Sequence, residues 1–250
     1  MTAAAVRTTT RIPAPRTALD DDAVRPPQHS APGAGRAAAY QRVLHQLVRR
    51  ELRVLADVAV WAPADEEHRI AELTRHAELI SRVLLHHHTV ERESVWPALL
   101  RAVPEARDTV AGWTDRCARI DNMLRDVATA ARQWRVAAAR PARDAFATAC
   151  RALADVVDDQ MSEEERTLLP LLAAHLSPED WTAIAASSHC RLSGQEQLFV
   201  LGLALEDSCA GDRVRLIEGL PWSARTAWRV YGARRYRVAV VRLRGAPPAA

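Results

Sequence analysis

The sequence predicts an all-α protein, an antiparallel four-helix bundle followed by a C-terminal helical extension. Three observations support this class. Ala, Leu and Arg are abundant, whereas aromatic residues make up only 5% of the 250 residues, so helix formers outnumber strand formers. Four long segments repeat apolar residues at spacings of three and four, the period of a helix with one buried face. Short connections that contain Pro join these segments, as expected for neighbouring antiparallel helices.

The predicted elements divide the chain into three parts. Residues 1–36 mix Pro, Ala, Thr and Arg without a period, which predicts a disordered N-terminal tail. Residues 37–176 hold the four long helices, with interruptions at Pro63, Pro97, Pro104 and Pro141. Residues 177–250 predict shorter helices on one side or end of the bundle and then a basic tail, with caps or breaks at Ser177, Ser193, Gly211 and Pro221.

Composition excludes several classes of protein. The longest apolar run, around residues 198–205, is too short to cross a membrane, and the N-terminus lacks the apolar segment of a signal peptide. The four cysteines have no C-x-x-C spacing, which argues against a zinc knuckle and favours reduced thiols. The sequence therefore predicts a soluble, cytoplasmic protein with no membrane partner.

The charge is too mild to indicate a nucleic-acid partner. Net charge is +3 and the pI is about 8.9, whereas phosphate binding usually requires a concentrated basic surface. Residues 213–250 contain nine arginines and one glutamate, which we interpret as a solvated end of the chain. The alternative is an anionic partner, namely a polynucleotide, lipid head groups or an acidic protein surface.

Polar residues interrupt the apolar faces of the predicted helices. His87 and Glu91 are one helical turn apart on the second helix, and Gln160 and Glu164 repeat this spacing on the fourth. A proline follows each glutamate after six residues, at Pro97 and at Pro170. Two further polar positions come from the other helices, His45 from the first and Cys117 from the third.

A polar layer inside a bundle costs free energy unless its members are paired or bind a metal ion. Imidazole and carboxylate groups from adjacent turns are the donors that iron or manganese uses in bundle cores. A buried histidine alone is more often a hydrogen-bonded packing residue. His87 together with Glu91 favours the ligand interpretation.

Two segments resemble the hemerythrin-like, or HHE cation-binding, family. HHHTVERESVWPALL is similar to the family's second-helix signature and DDQMSEEERTLLPLL to its fourth. The resemblance covers about residues 37–176, and the stretch LPWSARTAWRVYGARRYRV is similar to the extension of larger bacterial members. It implies a non-haem di-iron site that binds O2, nitric oxide or peroxide. Its implied metal ligands here are His45, His87, Glu91 and Glu164.

The sequence departs from the family pattern at the third and fourth helices. Cys117, with Asp121 four residues later, stands where the family has histidine on the third helix, and Gln160 replaces the histidine of the fourth. In the family these histidines serve one iron ion and those of helices one and two the other. We therefore expect one iron ion or none rather than the pair, and a single ion would lie in a setting akin to the two-His-one-carboxylate triad. Cys117, Asp121 and Gln160 then form an unusual second site or hydrogen-bonding partners around the first.

Several neighbouring residues are assigned structural roles. His86 and His88 are expected on other faces of the second helix, solvated or supporting the site, and His76 as an interior hydrogen-bonding residue. Glu163 and Glu165 are expected as surface charges. Three tryptophans are expected to fill the core: Trp96, Trp113 and Trp134.

The leading functional hypothesis is a binder or sensor of O2, nitric oxide or peroxide at one non-haem iron ion. One alternative is a non-haem iron oxidase or oxygenase of a biosynthetic pathway, although the sequence indicates no substrate pocket. The other is a metal-free interaction protein with a decayed site, in which the C-terminal extension binds a protein partner.

Overall fold

The computed structural model describes residues 34–187 and 190–245, with side chains from Ala38 onward. All regular structure in these ranges is helical, as the composition predicts. The disordered tail predicted for residues 1–36 falls mainly on residues 1–33, outside the described residues, as does the end of the basic tail at 246–250. The first helix begins slightly earlier than expected, at residue 34.

The bundle consists of four long helices and one short one. Their bounds are α1 Ala34–Trp61, α2 Glu67–Val90, α3 Trp96–Ala102, α4 Arg107–Ala137 and α5 Arg140–His175. Helix α1 contacts α2 and α5, and α4 contacts the same two helices, so these four form a closed ring. A π-helical turn, Glu91–Val95, joins α2 to α3, and a 3-10 turn, Pro104–Ala106, precedes α4.

A residue with left-handed backbone conformation and a proline lie at the connection between α4 and α5. Helix α4 ends at Ala138, whose φ of 44° lies in the left-handed region. Pro141 follows in the first turn of α5, where its missing N–H costs nothing. Pro170, by contrast, lies inside α5 and does not end it.

Two apolar clusters fill the bundle, one on each side of a polar layer. The first core includes Leu47, Leu84, Leu124 and Leu153. The second core includes Trp96, Leu99, Trp113 and Leu172. Helices α1 and α4 pass from the second core to the first, whereas α2 and α5 run the other way, so neighbours in the ring are antiparallel. The three predicted core tryptophans are all buried.

The C-terminal helices pack mainly against α1 and against one another. They are α6 Pro178–Ser187, α7 Gly194–Glu206, α8 Ala210–Glu218, α9 Trp222–Ala227 and α10 Ala233–Arg244, with a π-helical turn at Trp228–Gly232. Ser193 caps α7 in a capping box with Glu196, and Ser177 accepts a hydrogen bond from the Asp180 N–H. Helix α8 begins after Cys209 rather than at the break predicted for Gly211.

A buried ionic cluster joins this extension to the bundle. We call it the Glu51 cluster: Arg50, Glu51, His76, Glu206, Tyr236 and Arg244. Glu51 Oε2 lies 2.8 Å from His76 Nε2, which confirms His76 as an interior hydrogen-bonding residue. Arg244 of α10 pairs with both Glu51 and Glu206, and Tyr236 donates a hydrogen bond to Glu206. The cluster thus provides a polar link between α1, α2, α7 and α10.

None of the described helices combines the length and hydrophobicity that a membrane-spanning segment requires.

Candidate metal centre

Every long helix of the bundle contributes to the polar layer between the two cores. The layer consists of Gln41, His45, His87, Glu91, Cys117, Gln160 and Glu164, and each of these residues is at most 6% exposed. The four ligands expected from the sequence therefore all lie inside the bundle, together with Cys117 and Gln160. Such a group of buried polar side chains requires either internal hydrogen bonds or a bound cation.

His45 presents one ring nitrogen to the centre of this layer and the other to a supporting carboxylate. Nδ1 lies 3.2 Å from Glu165 Oε1, and Glu165 also pairs with Arg49. A hydrogen bond from Nδ1–H to Glu165 leaves Nε2 as the atom with a free lone pair. Nε2 lies 3.3 Å from Glu164 Oε2, yet it has no hydrogen-bond partner of acceptable geometry.

His87 and Glu91 converge because a helical turn separates them, as the spacing predicts. His87 Nε2 lies 3.4 Å from Glu91 Oε1, and the His45 and His87 rings meet edge to face with centroids 5.6 Å apart. Glu91 begins the π-helical turn, which sequence spacing does not predict. Such turns occur frequently at functional sites in helices. The Gln41 amide donates a 3.2 Å hydrogen bond to Glu91 Oε1, while Glu91 Oε2 has no partner.

The donor atoms fall into two groups that share Glu164. One group consists of His45, His87 and Glu164, and the other of Glu91, Cys117 and Glu164. Within each group one ligand atom from every residue lies within 4.8 Å of the others. Because metal–donor bonds in proteins are about 2.0–2.3 Å long, a cation can span these separations with small side-chain adjustments.

Electrostatics also favour a cation. Burial raises the pKa of Glu91 well above its usual range, and the neighbouring carboxylate of Glu164 raises this pKa further. Burial lowers the pKa of His87 well below its usual range, so this imidazole is neutral and able to donate a lone pair. For His45, burial lowers the pKa, but contacts with Glu164 and Glu165 outweigh burial and leave the pKa raised. The unpartnered atoms and adjacent carboxylates therefore fit a bound metal cation.

Gln160 occupies the position between Cys117 and Glu164. Its Nε2 lies 2.9 Å from Glu164 Oε1 and 3.4 Å from Cys117 Sγ, so it donates to both. Burial raises the pKa of the Cys117 thiol, and the charges of Glu91 and Glu164 add to this shift. Without a cation, Cys117 is thus a neutral thiol.

Asp121 lies outside both donor groups. Its carboxylate accepts from Arg92 at 3.1 Å and lies 2.6 Å from His88 Nδ1. His88 is buried rather than solvated, so of the two roles expected for it the supporting one agrees with the structure. The hydrogen bond of His88 to Asp121 joins α2 to α4.

Two residues of the site were not anticipated from the sequence. Glu165 was expected on the surface beside Glu163; instead, it is partly buried and holds His45. Gln41 was not singled out at all. A signal for Gln41 was present, because it precedes His45 by four residues and thus shares its helix face. No comparable signal distinguishes Glu165 within the acidic run of residues 163–165.

A surface groove approaches the layer from the side of α4 and α5. Its volume is about 480 Å³, and Gln160 lines it together with Arg116, Arg119 and Arg166. Gln160 is therefore the layer residue that separates this groove from Glu164.

A comparison with protein-family models matches residues 38–172 to the hemerythrin HHE cation binding domain. The match covers more than half of the 250 residues and includes the entire polar layer. Searches of curated proteins and of solved structures gave no match.

Proposed function

The chain belongs to the hemerythrin HHE cation binding family, and from this premise we propose that it holds one iron ion between His45, His87 and Glu164. We further propose that this ion binds a small ligand, namely O2, nitric oxide or peroxide, so that the protein acts as a binder or sensor. The observation that carries the proposal is the convergence of three buried donor atoms within 4.8 Å of one another.

The supporting residues prepare this group for a metal ion. Glu165 fixes the orientation of the His45 ring with Nε2 towards the layer, and Arg49 in turn holds Glu165. A metal ion at Nε2 displaces any proton held there. The depressed pKa of His87, caused mainly by burial, keeps its imidazole neutral at physiological pH. Two imidazoles and one carboxylate form the donor set typical of mononuclear non-haem iron sites with open coordination positions.

Bound iron would supply the exchangeable coordination position that a diatomic ligand or peroxide requires. The protein limits which molecules arrive there, since His45, His87 and Glu164 are each no more than 5% exposed. The groove lined by Gln160 is the route that we assign to the small ligand. Burial of this kind suits binding of small molecules better than turnover of a large substrate.

Titration of the Fe2+-loaded protein with nitric oxide, followed by EPR under anaerobic conditions, tests this function. We expect the wild type to form a saturable iron–nitrosyl signal. His87→Gln removes one nitrogen donor and should abolish the signal. His88→Gln, a matched change at the adjacent residue, can keep the hydrogen bond to Asp121 and should retain the signal. A wild type without the signal, or an unaffected His87→Gln, would reject the proposal.

A second candidate function, binding of an acidic protein surface, is favoured by one observation on α10 and the turn before it. Arg229, Arg234 and Arg237 are exposed and make no ion pair among the described residues. Val230 and Val238, each next to one of these arginines in sequence, are 75% and 55% exposed. Unpaired positive charge beside apolar surface fits a partner with acidic and apolar groups. Charge reversal, Arg234→Glu with Arg237→Glu, should abolish co-purification with such a partner and leave iron binding unchanged.

A further inference from the structure

The second donor group differs chemically from the first because it contains sulphur. We propose that Glu91, Cys117 and Glu164 form a second cation position that takes a thiophilic divalent ion such as Zn2+ through the thiolate of Cys117. One ligand atom of each residue lies within 4.8 Å of the others. The position shares Glu164 with the proposed iron site and so rests on the proposed function.

A buried, unpartnered atom points to a ligand at this position independently of the cysteine. Glu91 is 1% exposed, and its Oε2 has no hydrogen-bond partner, although Oε1 accepts from Gln41. An uncompensated carboxylate oxygen inside a bundle carries a large desolvation cost. A cation beside Oε2 removes that cost.

The charges around the position lead to the same conclusion. Glu91 lies in the π-helical turn after α2 and Glu164 lies on α5, and neither forms an ion pair with an arginine in the described part of the chain. Arg92, the nearest arginine in sequence, pairs with Asp121 instead. A divalent ion between the two carboxylates would offset their mutual repulsion, whereas the donor group of the proposed iron site includes Glu164 but not Glu91.

Binding requires the thiol of Cys117 to lose its proton, and a protonated Glu91 carboxyl loses its proton to solvent as well. The S–H bond of Cys117 breaks, an S–metal bond forms, and the proton passes to solvent, with no change in oxidation state. A coordinating thiol loses its proton even where burial disfavours a free thiolate, because the cation supplies the compensating charge.

Gln160 offers a fourth donor. Its amide nitrogen now donates to Cys117 Sγ and Glu164 Oε1, the two groups that would bind the cation. A half-turn of the amide about its last bond puts the carbonyl oxygen in place of the nitrogen, facing the same point. Cys117, Glu91, Glu164 and Gln160 would then offer one sulphur and three oxygen donors, four in all, which is the usual number for zinc.

The two positions should therefore prefer different metals. Two imidazoles and a carboxylate suit iron, whereas a thiolate favours zinc and other ions that bind sulphur well. The inferred centre is a mixed pair of ions and differs from two equivalent irons. The replacement of histidine by Cys117 thus changes the second position instead of removing it.

Titration with Co2+ tests this inference, because a bound thiolate gives an intense near-ultraviolet charge-transfer band that nitrogen and oxygen ligands do not give. We expect two equivalents of Co2+ in the wild type and a charge-transfer band that develops with only one of them. Cys117→Ser should lose the band and lower the affinity for the Co2+ ion that produces it at least tenfold. Its affinity for the other Co2+ ion should stay unchanged. Cys150→Ser changes a cysteine that is also buried but lies in the first core, and should leave both unchanged.

The remaining outcomes separate the two proposals. One Co2+ equivalent without a band in the wild type, or a band that persists in Cys117→Ser, overturns the second position alone. Failure of the wild type to bind any Co2+ overturns the iron site as well. Should Cys117→Ser fail to fold, Cys117→His decides the matter: it should restore two equivalents without the band, and retention of the band would contradict the inference.

Discussion

Glu165 Oε1 lies 3.2 Å from Nδ1 of His45, so a carboxylate on the fourth bundle helix orients an imidazole on the first. This contact determines which ring nitrogen faces the polar layer. Glu165, which the sequence places in an acidic run expected at the surface, therefore supports the candidate metal centre.

Replacement of Glu165 should therefore weaken metal binding without removing a ligand. We expect Glu165→Ala to lower the affinity for Fe2+ by about 10–100-fold, the usual effect of losing a carboxylate behind a metal-bound histidine. Anaerobic competition with a chromogenic chelator measures this affinity. Glu163→Ala, two residues away and paired with the exposed Arg166, should remain within about twofold of the wild type. Equal affinities of the two variants would mean that Glu165 does not act through His45.

Gln41 should strengthen metal binding through its hydrogen bond to Glu91. Its hydrogen bond lowers the pKa of Glu91 against the opposing effects of burial and Glu164, so Gln41→Leu should raise this pKa further. A carboxyl must lose its proton to bind a cation, and we expect an affinity loss of about tenfold at pH 7 that grows as the pH falls. Metal titrations between pH 5.5 and 8 measure it. Gln46→Leu, an exposed change on the same helix, is the control.

The departures from the family pattern can be reversed. Cys117→His with Gln160→His restores nitrogen donors on the third and fourth bundle helices, and we expect iron content to rise from about one ion per chain to about two. Elemental analysis after anaerobic loading measures the ratio. An unchanged ratio would contradict the helix alignment that equates these two residues with the histidines of the family.

Glu51 should make the folded protein less stable as the pH falls through the acid range. Burial alone would raise the pKa of Glu51, but contacts with His76, Arg244 and Arg50 lower it from 4.5 to about 2. A carboxyl with a depressed pKa in the folded protein stabilises it above pH 4.5, and this contribution disappears as the pH falls towards 2. The shift corresponds to stabilisation on the order of 3 kcal/mol.

Glu51→Gln measures this contribution. At pH 7 we expect its free energy of unfolding in urea to be about 3–5 kcal/mol below that of the wild type, because Arg244 and Arg50 each lose the buried carboxylate of Glu51 and keep that of Glu206. Between pH 4.5 and pH 2 the difference should shrink. Glu105→Gln, an exposed change, should show no such difference at any pH. A constant difference for Glu51→Gln would show that the carboxylate charge is not the cause.

The sequence predicts what local spacing controls. The spacing of apolar residues and the placement of prolines predict the helices. Polar residues that interrupt the apolar helix faces predict the layer that contains His45, His87, Glu91 and Glu164. The remaining features depend on distant parts of the chain. Glu51 meets Arg244 across 193 residues, and Glu165 meets His45 across 120. No local spacing predicts the π-helical turn at Glu91. Pro170 stays inside α5 because tertiary contacts outweigh one missing hydrogen bond.

Iron content after anaerobic Fe2+ loading and removal of loose metal tests the central claim most directly. For the wild type we expect about one firmly bound iron ion per chain. Glu164→Gln should lose it, because Glu164 belongs to both donor groups, whereas the adjacent and equivalent change Glu163→Gln should keep it. A folded wild type that binds no iron, or a Glu164→Gln protein that binds as much as the wild type, would contradict the proposed convergence of these side chains on a metal ion.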